Sequence, residues 1–193
     1  MWPRSSLRWP RTSVRTDTVH KIAEAHVGAA RIVGVAKGVG MIEPDMATMI
    51  SVVLTDAAVE PATLDTVFRR TIDRTFNSVS VDTDTSTSDT AVILASGDAG
   101  PVDLAGFEDA LHDVLLSLTK QVARDGEGAT KLIEVCVDGA TDARQAKRIA
   151  KAIVNSPLVK TAVHGADPNW GRVAMAVGKC SDEPGIDESK VVI

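Results

Sequence analysis

The sequence has few aromatic residues, no excess of basic charge and no long apolar run. Aromatic side chains make up 3% of its 193 residues and tyrosine is absent, which argues against a platform for stacking nucleic-acid bases. With 26 acidic and 21 basic residues, the formal net charge is −5, so the chain lacks the basic surface typical of nucleic-acid binding. No uninterrupted apolar stretch approaches the length of a membrane span. We therefore expect neither a nucleic acid nor a membrane as a partner.

Cysteine is also scarce, since Cys136 and Cys180 are the only two. No spacing of cysteine and histidine resembles a zinc site. Two cysteines are typical of a protein from a reducing cytoplasm, although a disulfide between them is left open. The remaining composition, 44% hydrophobic and 24% charged, predicts one globular domain with a buried core. We expect a cytoplasmic protein without a bound metal.

The most informative stretch is residues 36–50. Lys37 stands beside Gly38 and Gly40, which allow a tight turn or a close approach to a ligand. Pro44 restricts the backbone that follows. Thr48 then precedes an apolar, β-branched run typical of a buried strand. From composition alone, such a threonine is most often an ordinary strand residue.

This stretch, Lys-Gly-Val-Gly-Met followed by Met-Ala-Thr-Met, resembles the self-cleavage motif of the ornithine acetyltransferase family, also called bifunctional glutamate N-acetyltransferases. The resemblance implies that the chain breaks between Ala47 and Thr48 and that Thr48 becomes an N-terminal nucleophile. The residue types suit this chemistry, because a threonine hydroxyl needs a base and a new α-amine on the same residue titrates near neutral pH.

Four further stretches resemble signatures of the same family. Residues 75–90 are rich in Asp, Ser and Thr, and alone predict a solvated turn or, less well, a calcium loop. They resemble a signature in which many members have Asn where this chain has Ser88. Glu127, flanked by glycines, is usually a turn residue, but it matches a signature whose Glu binds the substrate's amino-acid portion. Residues 156–162 and 165–172 match the last two, with Trp170 expected to be a packing anchor and Arg172 an ion-pair donor.

Hydrophobic spacing predicts an alternation of helices and strands. We expect helices over residues 20–27, from Pro61 onward, over 107–122 with Asp103 as cap, and over 143–155, and strands over residues 31–35, 49–56, 91–95, 133–138 and 173–177. Alternation alone favours an α/β protein with a doubly wound sheet. The resemblance instead implies two stacked sheets between helical layers, an αββα sandwich of the N-terminal-nucleophile type, and we follow it.

The resemblance also implies a function. Thr48 would accept an acetyl group from N-acetylornithine and pass it to glutamate, while Lys37 binds a substrate carboxylate and Glu127 a substrate ammonium group. No metal or organic cofactor is implied. The cleaved α and β chains would stay together as a hetero-oligomer, and the pathway would be arginine or clavulanate-type specialised biosynthesis.

The resemblance covers about residues 16–193, and we expect residues 1–15 to be poorly ordered. It corresponds to the middle of the family's precursor, without the upstream Thr-Gly pair of the oxyanion hole and without the C-terminal tail. Arg15 and His20 also depart from the family pattern. Two alternatives follow: a non-catalytic remnant that shows no acetyl exchange and self-associates, and a hydrolase or aminopeptidase, which residues 37–41 argue against.

Overall fold

The computed structural model describes residues 17–40, 42, 49–84 and 89–193 of the chain. Within these residues it contains β1 (Lys21–Val27), β2 (Ala30–Lys37), β3 (Ile50–Ala58), α1 (Pro61–Arg74), β4 (Thr90–Pro101), α2 (Leu104–Arg124), α3 (Ala143–Val154), α4 (Pro157–His164) and α5 (Trp170–Gly178), with single 3₁₀ turns at Phe76–Ser78 and Glu188–Lys190. The predicted disorder of residues 1–15, the cleavage pair Ala47–Thr48 and the position of Ser88 lie outside the described residues.

The four strands form one mixed sheet in the order β1-β2-β3-β4. β1 and β2 make an antiparallel hairpin whose turn uses Gly28 at a φ of 57°, a value that favours glycine. β2 pairs antiparallel with β3, whereas β3 pairs parallel with β4, so α1 forms the crossover between them. The chain is therefore α/β as predicted, and its sheet is not the all-parallel sheet that alternation alone favours.

Both long helices begin where their capping residues predict. Pro61 is the first residue of α1, and the carboxylate of Glu60 accepts the backbone N–H of Thr63. The carboxylate of Asp103 accepts the backbone N–H of Gly106 in the first turn of α2. These side chains satisfy N–H groups that have no partner within the helix.

The main core lies between the sheet and α2. All six residues predicted to face inward on this helix are buried: Phe107, Leu111, Val114, Leu115, Leu118 and Val122. Gly34 of β2 lets the helix approach the sheet closely, because a β-carbon there would lie 2.8 Å from both Leu118 and Val114 side-chain atoms. Helix α1 completes this core with Val67 and Phe68.

The opposite face of the sheet exposes several large apolar side chains in the described structure, beside an ion pair between Arg31 and Glu24. Alternation along the strands places Ile22, Ile50, Val92 and Leu94 on this face, and they are 46%, 43%, 37% and 57% exposed. Strand register aligns Leu54 with Leu94 on the same face. We call this surface the outer sheet face; it is where a second sheet of the predicted sandwich would pack.

The three C-terminal helices pack around a second, smaller core. Ile149 and Ile153 of α3 contact Val159, Val177 and Cys180. A buried carboxylate closes this unit, because Glu183 is bound by Arg144 and Arg148 of α3. Hydrogen bonds from Arg144 and then Arg148 lower the pKa of Glu183 to about 2.

Two predicted elements have the wrong type. Residues 20–27 form strand β1 rather than a helix, since Ile22, Glu24 and His26 are exposed while Lys21 is buried, which is period two. Residues 173–177 belong to helix α5 rather than to a strand. Both runs are short, eight and five residues, and in so short a run periodicity does not separate helix from strand, so the neighbouring elements decide.

Two predicted strands behave differently from expectation. Residues 133–138 keep the expected alternation, with Glu134, Cys136 and Asp138 exposed, but they pair with no strand among the described residues. The strand at residues 91–95 forms within β4, yet it is not fully buried, because only its α-helical side is covered. Sheet pairing and burial depend on neighbours that a single stretch of sequence does not reveal.

Candidate active site

The site begins where β2 ends. Lys37 is the last residue of this strand and pairs in register with Ile50 of β3. Gly38 follows with a φ of 153°, and its N–H donates to Asp17 Oδ1 at 2.9 Å. The glycine-rich loop predicted from the sequence therefore begins at the end of β2, and the buried carboxylate of Asp17 binds its first residue.

Glu127 lies against this loop although the two are far apart in sequence. It follows Gly126, at which a β-carbon would meet Val81 at 3.0 Å, so the turn packs tightly. The Glu127 N–H donates to the carbonyl of Val39 at 2.8 Å. A β-carbon placed on Gly40 would lie 3.2 Å from Glu127 Oε2. The structure thus brings Glu127 against the glycine loop that directly follows Lys37 in the chain.

A second carboxylate faces Gly40. Asp82, from the polar stretch after α1, has its Oδ2 3.6 Å from the point that a β-carbon on Gly40 would occupy, while its Oδ1 accepts the Ile42 N–H at 2.9 Å. Next to it, Thr83 has a φ of 70°, which is unusual for a residue with a β-branched side chain. We call the space bounded by Gly40, Glu127 and Asp82 the acidic recess. Two carboxylates at one glycine favour a cationic ligand group.

Asp89 binds the backbone of Met49, which directly follows the predicted nucleophile Thr48 in the sequence. Its Oδ1 accepts the N–H of Met49 at 2.6 Å, and the Met49 carbonyl accepts the Thr90 N–H at 3.0 Å. Asp89 Oδ2 is buried without a hydrogen-bond partner. Burial raises the pKa of Asp89, an effect that the bond from Met49 partly opposes. Asp89 therefore anchors the residue that directly follows Thr48.

A buried ionic cluster beneath the site was not predicted. Lys21 donates to Asp17 Oδ1 and to Asp125 Oδ2, both at 2.5 Å, and its side chain is 0% exposed. Asp125 also accepts the hydroxyl and the N–H of Thr18. The only feature of the sequence that could have indicated this cluster is Lys21 at an inward position of β1. That feature goes unrecognised in the sequence, because residues 20–27 are predicted as a helix.

The last two sequence signatures act as a support for the acidic recess. Lys160 of α4 donates to the carbonyl of Val81, the residue before Asp82, at 2.7 Å. Arg172 donates to the Leu158 carbonyl of α4 at 3.0 Å and forms an ion pair with Asp167 at 3.8 Å, so the predicted ion-pair role is confirmed. The prediction for Trp170 is wrong, since this side chain is 69% exposed at the start of α5 and anchors no core.

The described part of the chain shows no metal site, disulfide or membrane-spanning helix. Among residues 17–40, 42, 49–84 and 89–193, no group of three or more His, Cys, Asp or Glu side chains is arranged to bind a metal ion. Both cysteines are free, Cys136 exposed and Cys180 buried. None of the described helices combines the length and the apolar character needed to cross a membrane.

The chain is similar to a known protein family over nearly all of its length. The ArgJ family matches residues 9–193 of the chain, which is nearly its whole length. The chain belongs to the ArgJ family. Its α/β fold is accordingly of the N-terminal-nucleophile type, which confirms the fold class that the sequence signatures predicted.

Individual relatives are closely similar. The chain is 59% identical to glutamate N-acetyltransferase Oat2 of Streptomyces clavuligerus over 198 residues, covering 97% of this chain and 50% of that protein. It is 65% identical to arginine biosynthesis bifunctional protein ArgJ 2 of Nostoc sp., covering 92% of this chain and 46% of that protein. The chain thus spans about half the length of the curated relatives it matches.

A solved structure has the same fold over most of the chain. The crystal structure of arginine biosynthesis bifunctional protein ArgJ from Bacillus halodurans superposes with a TM-score of 0.62 and 47% sequence identity. The match covers 64% of this chain and 61% of that one. At this identity the likeness supports the strand and helix order described above.

Proposed function

We propose that this chain carries the threonine nucleophile and the substrate-ammonium site of an acetyltransferase that moves acetyl from N-acetylornithine to glutamate. One observation carries the proposal: Glu127, the predicted ammonium-binding residue, lies against the glycine loop that begins directly after Lys37. The names of the relatives, glutamate N-acetyltransferase and arginine biosynthesis bifunctional protein, agree with this activity.

The proposed reaction has two halves. After self-cleavage between Ala47 and Thr48, the free α-amine of Thr48 takes the proton of its own hydroxyl. The hydroxyl oxygen attacks the acetyl carbonyl of N-acetylornithine, the amide C–N bond breaks, and the proton goes to the departing ornithine amine. The neutral amine of glutamate then attacks the acetyl-threonine ester and the ester C–O bond breaks. The proton that the glutamate nitrogen loses passes through the Thr48 α-amine to the Thr48 oxygen, which frees N-acetylglutamate and restores the hydroxyl.

The acidic recess would provide the charge complementarity that this substrate needs. Ornithine and N-acetylornithine each carry an ammonium group, which Glu127 would pair with while Lys37 pairs with the carboxylate. Asp82, the second acid at Gly40, adds negative potential to the same recess. Charge-assisted hydrogen bonds of this kind are worth about 1.5–3 kcal/mol each. We propose no metal or organic cofactor for the reaction.

We further propose that the active form is a hetero-oligomer in which other polypeptide covers the outer sheet face. The support is the exposure of its large apolar residues, since uncovered apolar patches of this kind mark interaction surfaces. The proposed pathway is arginine or clavulanate-type specialised biosynthesis, and the proposed location is the cytoplasm.

The uncovered outer sheet face also favours a second candidate function, a non-catalytic chain that only associates with a partner.

A chimera separates these candidates. Residues 17–193 of this chain replace the matching segment of the Streptomyces clavuligerus relative, and ornithine release from N-acetylornithine is measured with glutamate as acceptor. We expect acetyl exchange that is lost in Thr48→Ala and retained in Thr66→Ala, a control at an exposed position of α1. A chimera that folds and melts like the active parent but releases no ornithine would exclude the catalytic proposal.

A further inference from the structure

All three charged side chains of the ionic cluster, Lys21, Asp17 and Asp125, are buried from solvent. The side chains of Lys21, Asp17 and Asp125 are 0%, 2% and 5% exposed. The two carboxylates and one ammonium group leave a formal excess of one negative charge. Burial raises the pKa of Asp125, but hydrogen bonds from Lys21 and Thr18 outweigh it, so that the pKa lies below its ordinary value.

Each carboxylate of the cluster is tied to one side of the acidic recess. Asp17 Oδ1 accepts the Gly38 N–H, so it fixes the loop on the Lys37 side. Asp125 is the C-cap of α2 and stands two residues before Glu127, so it fixes the other side. Lys21 donates to both, and is the shared connection between the two sides.

Stability alone does not account for this cluster. Apolar residues of similar volume often replace a buried ion pair with no loss of stability, because desolvation offsets the attraction. In addition, Asp17 Oδ2 is buried without a hydrogen-bond partner, which is unfavourable. A costly buried network beside a binding site is a common way to hold side chains at a defined spacing.

We propose that Lys21, Asp17 and Asp125 form the positioning network of the acidic recess, setting the spacing between the Gly38 loop and Glu127. The proposal rests on the proposed function for the identity of its ligand, an amino acid with a side-chain ammonium group. The three residues act through Gly38 and Glu127 and do not touch the substrate. Breaking the network lets the two sides separate, so that one substrate no longer contacts both.

The test uses Asp17→Ala, which removes the acceptor of the Gly38 N–H. Amide hydrogen exchange is measured by NMR on the 193-residue chain without ligand, and L-ornithine affinity is measured by titration. We expect the Gly38 amide to exchange at least about tenfold faster relative to strand β3, and ornithine affinity to fall about tenfold. Asp17→Asn keeps an oxygen acceptor and should stay within about threefold of wild type in both measurements.

Glu183→Gln is the matched control, because it also weakens a buried carboxylate network, with the Arg144 and Arg148 partners, but away from the recess. It should lower the melting temperature without changing Gly38 exchange or ornithine affinity. The proposal is overturned if Asp17→Ala lowers the melting temperature in the same way and leaves Gly38 exchange unchanged.

Should Asp17→Ala fail to fold, Thr18→Val replaces it, since it removes one hydrogen bond to Asp125 at similar volume. Faster exchange at the Glu127 amide is then expected, and unchanged exchange contradicts the network. If wild-type chain binds no ornithine, the proposed function fails, while the exchange measurements still decide the positioning role.

Discussion

Adding one methyl group at Gly40 should separate binding from stability in this protein. Gly40 does not have a left-handed φ, so alanine fits the backbone. Its β-carbon would lie 3.2 Å from Glu127 Oε2, closer than ordinary van der Waals contact, and the carboxylate must move by a few tenths of an ångström. Because Glu127 is exposed, that movement costs little folding free energy, about 0.5 kcal/mol or less.

The same movement should strongly affect ligand binding. If Glu127 loses its charge-assisted hydrogen bond to an ammonium group, the loss is about 1.5–3 kcal/mol. That corresponds to about a 10- to 100-fold weaker affinity for L-ornithine. Thermal melting and a calorimetric or NMR titration with L-ornithine measure the two effects separately.

Gly178→Ala is the matched control for Gly40→Ala. A β-carbon at Gly178, the last residue of α5, meets no atom within 4 Å, so neither stability nor ornithine affinity should fall. A Gly40→Ala variant that binds L-ornithine as tightly as wild type, or that loses melting temperature and ornithine affinity together, would contradict a role of Glu127 in binding.

Three further changes test other parts of the structure. Gly34→Ala should destabilise the chain by about 1–3 kcal/mol in denaturant unfolding, because its β-carbon would overlap Leu118 and Val114 at 2.8 Å. The raised pKa of Asp89 means that its contribution to stability falls as pH rises from the ordinary aspartate range through the raised value. Asp89→Asn should therefore raise the melting temperature at neutral pH, and this gain should disappear in acid. Leu94→Lys, at a position 57% exposed on the outer sheet face, should reduce self-association on a sizing column without lowering the melting temperature.

The sequence predicts those helices that have a long hydrophobic period or a capping residue or proline at their start. Helix α2 is predicted with all six of its buried apolar residues, since these residues follow the helical period and Asp103 marks its start; buried Thr119 is not predicted. Helix α1 is predicted because Pro61 is pre-organised for a first turn. By contrast, β1 and α5 are short runs in which both periods fit, so only packing against neighbouring elements distinguishes them.

The candidate site is predicted in part. Lys37 and Glu127 come from motifs, and the structure brings their segments together at Gly40. The positioning network is not predicted, because Asp125 is 104 residues from Lys21 in the sequence and charged residues are expected on the surface. Only the pairing of β1 with β2 and the end of α2 place these three charges at one buried point.

The most direct test of the account is the mass and the N-terminal sequence of the purified chain after incubation at neutral pH. We expect two fragments that separate under denaturing conditions, the second beginning at Thr48. Thr48→Ala should remain intact, whereas Thr66→Ala should cleave like wild type. A chain that stays intact, or a fragment that begins at any residue other than Thr48, would contradict the assignment of Thr48 as the nucleophile.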